Sequence, residues 1–113
     1  MSIDQDITDS INFLQQSFAQ AVAVKPTCNL ISRIINQPPK TAFRISDQNV
    51  SGTTGLKLLF VFNRDTAKCY IKHYHQIPQG TDASCAVCPQ EEVDCNDLPK
   101  IGAALNNLFA SHP

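Results

Sequence analysis

Two of the three histidines and three of the five cysteines fall between His73 and Cys95, in the stretch HYHQIPQGTDASCAVCPQEEVDC. These are the side chains that coordinate soft and borderline metals. His73 and His75 stand two apart, so on a strand both imidazoles point the same way. Cys85 and Cys88 enclose the two-residue gap common in structural zinc sites, and Cys95 follows on the same segment. Zinc takes four ligands in a tetrahedron, from neutral imidazole and thiolate. A zinc held by members of the set His73, His75, Cys85, Cys88 and Cys95 is therefore one expectation. The spacing is loose, because a second CxxC is missing and Cys88 lies far from Cys95. The zinc-deaminase pattern fails on the same residues: His73-Tyr74-His75 lacks the glutamate, and Ser84 stands where a proline should precede the first cysteine.

Thiol chemistry offers two other readings. The loop cysteines could pair, but five is an odd number, and Glu91 and Glu92 just after Cys88 oppose a thiolate there. Cys28 is different. It follows Pro26-Thr27 and opens a segment that reads as a helix, and a helix N-terminus stabilises thiolate. With His73 on a core-facing strand, a Cys28–His73 dyad would be a papain-like arrangement for thiol hydrolysis. Gln76 and Asp82 are the candidates to orient that histidine.

A fourth chemistry uses the opposite side of the strand. Lys68, Tyr70, Lys72 and Tyr74 alternate, Lys57 lies on the preceding strand, and Arg64 sits at the turn between them. Lysines hold phosphates while tyrosines stack bases, so this face suits RNA binding or a small ribonuclease. The alternative is an ordinary solvated sheet face, since such faces are commonly rich in Lys and Tyr.

Six elements would position these groups. Ile3, Ile7, Ile11, Leu14, Phe18 and Val22 recur every three or four residues and predict an amphipathic first helix, capped by Ser2 or Asp4 and ended at Lys25-Pro26. Leu30, Ile31, Ile34 and Ile35 predict a second helix after Thr27, though their β-branching also suits a strand. Thr41–Ser46, LKLLFVFN (56–63) and AKCYIKHYH (67–75) predict three strands. Pairing Asn63 with Thr66 sets Phe62 against Ala67, Phe60 against Cys69, Leu58 against Ile71 and Leu56 against His73, which gives one apolar face. Residues 76–97 read as a long loop. A final helix starts at an Asp97 cap with Pro99 in its first turn. The expected fold is a single α+β domain over residues 1–113, in the order α-α-β-β-β-α, with a small antiparallel sheet and helices on one face.

Composition fits that size. Apolar residues make up 42% and charged residues 17% of the 113 positions. A chain of this length buries about two thirds of its unfolded surface and needs no metal to fold. No apolar run is long enough to span a bilayer. The acidic start MSIDQDITDS is unlike a secretory signal, so a cytoplasmic protein with reduced thiols is expected. The net charge of −1 is unevenly spread. Residues 25–75 carry eight basic side chains against two acids, between acidic flanks. The composite expectation is a small non-enzymatic binding or regulatory protein of adaptor, immunity or accessory type. It would meet another protein through the outer face of the 56–75 hairpin and the 76–97 loop. The papain-like dyad and the RNA-binding face are the alternatives.

Overall fold

The computed structural model describes residues 2–25, 28–48, 56–74 and 90–111. Its elements are α1 (Ile3–Ala23), β1 (Leu30–Gln37), β2 (Lys40–Asp47), β3 (Leu56–Asn63), β4 (Lys68–His73), β5 (Gln90–Asp94) and α2 (Leu98–Ser111). The five strands form one antiparallel sheet in the order β1-β2-β3-β4-β5. The architecture is α+β, but the element order is α-β-β-β-β-β-α rather than α-α-β-β-β-α.

Both helices form as their periodicity requires. The Ser2 hydroxyl caps α1 by accepting from the Gln5 amide, and Ile7, Ile11 and Leu14 are buried. At α2 the Asp97 carboxylate accepts from the Lys100 amide, and Ile101, Leu105, Leu108 and Phe109 are buried. Gly102 lets the two helices close together, since a Cβ there would lie 3.0 Å from the Phe13 ring.

The segment expected as a second helix is β1. It pairs with β2 along its whole length, from Leu30 opposite Asp47 to Gln37 opposite Lys40. Pro38-Pro39, read as a terminator, is the hairpin turn, with a cis peptide between the two prolines. The 76–97 segment likewise holds a strand: residues 90–94 form β5, paired with β4.

The β3–β4 register differs from expectation by two residues. Asn63 pairs with Lys68, so Phe62 faces Cys69, Phe60 faces Ile71 and Leu58 faces His73. The turn is longer because Ala67 takes a positive φ of 59° and donates its amide to the Asn63 carbonyl at 3.0 Å. The Asn63 side chain accepts from the Asp65 amide and nucleates the reversal. A shift of two preserves the faces, because side chains alternate with a period of two.

The inner face and the helices close one core. Phe43, Ile45, Leu58, Phe60, Phe62, Cys69 and Ile71 are fully buried against α1 and α2. Phe18 links the layers, edge-on to Phe43 at 6.4 Å and to Phe109 at 5.6 Å between ring centroids. Polar ties fix the helices. The buried Ser10 hydroxyl on α1 donates to the Cys95 carbonyl just beyond β5, and Lys25 Nζ donates to the Phe109 carbonyl on α2.

Candidate binding face

Alternation along each strand leaves a second face pointing away from the helices. Its members include Ile31, Arg33 and Ile35 on β1, Lys40, Ala42 and Arg44 on β2, Lys57, Leu59 and Val61 on β3, Lys68, Tyr70 and Lys72 on β4, and Glu92 and Asp94 on β5. Every one of them is half-buried or exposed. Among the described residues, none lies over this face closely enough to bury it.

The pairing register arranges these residues in rows across the strands. Ile35, Ala42, Val61 and Tyr70 stand side by side and end at Glu92. Two positions along the strands, Arg33, Arg44, Leu59 and Lys72 make the next row, ending at Gln90. Two positions the other way, Gln37, Lys40, Asn63 and Lys68 make a third, ending at Asp94. An apolar row is thus bordered on both sides by cations. The rows stand about 7 Å apart, from the rise of two strand residues.

A basin of about 400 Å³ opens on this face, floored by Leu59, Val61 and Tyr70 and rimmed by Lys72, Tyr74 and Glu92. Lys72 Nζ stands 5.2 Å from the centre of the Tyr74 ring, a cation–π contact. Lys68 is paired with Asp94 at 2.6 Å, which raises the lysine pKa and lowers that of the carboxyl. Among the described residues no carboxylate pairs with Arg33, Lys40 or Arg44.

The sequence-predicted groups are distributed unevenly over this frame. Lys68, Tyr70, Lys72 and Lys57 lie on the outer face as expected; the Asn63–Thr66 pairing would set Lys57 against Lys72, but Lys57 is level with Tyr74, whose amide donates to its carbonyl at 2.9 Å. Arg64 turns to the helix side. Its Nε pairs with Asp4 at 2.6 Å, and its Nη1 donates to Thr41 Oγ1 at 3.1 Å. It ties the hairpin turns to the start of α1 and is spent on structure.

His73 closes β4 on the inner side, opposite Leu58, whereas the Cys95 amide bonds the Ala67 carbonyl just before the other end of that strand. Six residues separate those levels, about 20 Å along a strand. One ion therefore cannot take both His73 and Cys95. His75, Cys85 and Cys88 lie outside the described residues. Among the described residues no group of three or more His, Cys, Asp or Glu side chains could hold a metal ion.

Cys28 opens no helix, because the segment after it is β1, so the dipole argument for its thiolate falls. It leads into β1 while His73 is on β4, three strand steps away, about 14 Å. The Cys28 side chain is half-buried against the core. Gln76 and Asp82 lie outside the described residues. Burial pushes the thiols of Cys69 and Cys95 above the usual cysteine range, so both stay protonated and act as small apolar groups.

Sequence reasoning missed Arg33, Ile35, Ala42 and Arg44. Arg33 and Ile35 reach the face because β1 is a strand, for which the β-branching of Ile31, Ile34 and Ile35 was the available signal, whereas Ala42 and Arg44 alternate with the buried Phe43 and Ile45 on β2. Among the described residues no helix is long and apolar enough to cross a membrane. No protein family model, curated protein or solved structure matches this chain.

Proposed function

We propose that this chain is a small non-enzymatic binding protein that meets another protein through the outer face of its sheet. The observation that carries the reading is the half-exposed apolar row Ile35–Ala42–Val61–Tyr70, set between cationic rows and left unburied. Contiguous exposed apolar surface rimmed by polar groups marks interaction sites in soluble proteins. Enzymatic thiol chemistry has less support, since burial raises the thiol pKa of Cys69 and Cys95, and Cys28 leads into β1 while His73 is on β4, three strand steps away. The expected contact surface extends to the 76–97 segment through β5, whose Glu92 and Asp94 complete the rows. The same face carries the alternating Lys68, Tyr70, Lys72 and Tyr74, which is the feature that favours nucleic acid as a second reading.

Matched charge reversals test the face. Arg44→Glu lies on it, whereas Lys100→Glu changes charge equally at an exposed position of α2. Purified from the native host under identical conditions, the Arg44→Glu protein should lose a bound partner that the Lys100→Glu protein keeps, with both giving the same circular dichroism. Retention by the first, or loss by the second alone, would overturn the reading.

A further inference from the structure

We infer that the outer face is a receptor for an acidic amphipathic helix of a partner protein. The inference rests on the outer face being the binding surface, and it deepens that reading by naming the partner's chemistry.

Three features of the rows converge on this class. The first is charge. The three rows hold Arg33, Arg44, Lys72, Lys40 and Lys68 against two carboxylates, both on β5, and one of these already engages Lys68. Arg33, Arg44 and Lys40 have no carboxylate partner among the described residues. The complement is a segment with acidic flanks.

The second feature is the centre. Ile35, Ala42 and Val61 are aliphatic, and only Tyr70 offers an aromatic surface in that row. Single-stranded nucleic acid binds by stacking bases on aromatic rings, and an aliphatic row gives successive bases nothing to stack on. Aliphatic side chains of a peptide pack there instead.

The third feature is geometry. Cations border the apolar row on both sides, so an occupant must present an apolar stripe and two charged flanks at once. An extended strand turns alternate side chains away from the surface and offers a single row. A helix presents a stripe at i, i+3, i+4 and i+7 with flanking positions on each side. Its diameter of about 10 Å fits between cationic rows about 14 Å apart. The row from Ile35 to Tyr70 crosses three strand steps, about 14 Å, which is about ten residues of helix.

The test uses the whole chain, labelled with ¹⁵N, and four probes. The first is a 14-residue helix-stapled peptide with a leucine stripe and glutamates on both flanks. The second carries lysines in place of the glutamates. The third keeps the glutamates and has serines in the stripe. The fourth is a 15-mer of oligothymidylate. The glutamate–leucine peptide should shift the amides of β1 to β4 in the three rows and bind at least tenfold more tightly than each of the others. The Arg44→Glu/Lys72→Glu protein should reverse the preference in favour of the lysine peptide, a change that mere unfolding would not produce. Equal binding of the serine peptide would overturn the inference by removing the apolar row from recognition. Tighter binding of oligothymidylate at the same amides would overturn the partner class while leaving the face as a binding surface. Shifts confined to other parts of the chain, or none with any probe, would overturn both.

Discussion

On β3, Leu58, Phe60 and Phe62 are wholly buried, while Leu59 and Val61, one position along, stay half-exposed. Both sets are apolar and share a backbone. They differ in what lies over them. α1 and α2 cover one side, and among the described residues nothing buries the other. On β1 the contrast weakens, since Ile31 on the outer side and Ile34 on the inner side are 44% and 41% exposed. Beyond Leu30, which is buried, the inner side of β1 is left largely exposed. Burial here follows helix coverage more than side-chain character, and the apolar residues outside that coverage stay partly exposed.

The contrast breaks hardest at Phe60. Phe60→Ala removes a fully buried ring that packs edge-on against Phe43 in the core. It should lower the unfolding free energy by about 3–5 kcal/mol in urea titration. Val61→Ala, its neighbour on the outer face, should lower it by about 1 kcal/mol or less. Equal losses would mean that the outer face is also core.

A smaller effect is expected at the helix–sheet tie. Ser10→Ala leaves the Cys95 carbonyl without its buried donor and should cost about 1–3 kcal/mol by the same titration. A neutral result would mean that water replaces the hydroxyl and that α1 is less closely sealed against the β5–α2 turn.

The smallest effect belongs to the Lys68–Asp94 pair on the outer face. The Asp94 pKa is lowered in the folded chain, chiefly by the hydrogen bond from Lys68. Its contribution is therefore present above the unfolded-state carboxylate pKa and fades as the pH falls through the lower folded value. The raised Lys68 pKa places the opposite limit, lost as the pH rises through the folded lysine value. Both groups are exposed, so salt should screen the effect. The Asp94→Asn protein should melt slightly below the parent at neutral pH and low salt. The two should coincide in acid and at high salt. A difference that persists at high salt would mean that the pair is shielded.

The parts of the fold legible in the sequence are those whose pattern is imposed by burial. α1, α2 and the three central strands each carry one face against the core, and their periods are visible. The two edge strands are not so constrained. In β1, Ser32, Ile34 and Asn36 point to the helix side yet remain exposed, so the segment is free to space its isoleucines as a helix would. In β5 only Val93 is buried, and the surrounding acids and glutamine resemble a loop. The hairpin register was hidden because an alanine, not glycine or asparagine, occupies the positive-φ position at Ala67. The Lys/Tyr side of the candidate face survived that error through its period of two. The apolar row did not emerge from the sequence because it is assembled across four strands, one of which reads equally as helix.

The most direct test of the outer face as the interaction surface is paired photo-crosslinking in the native host. A photoreactive phenylalanine analogue would replace Val61 in one protein and Gln16, exposed on α1, in another. Position 61 should give a discrete adduct with a second protein, and position 16 should give none. An adduct from position 16 alone, or none from position 61, would contradict the account.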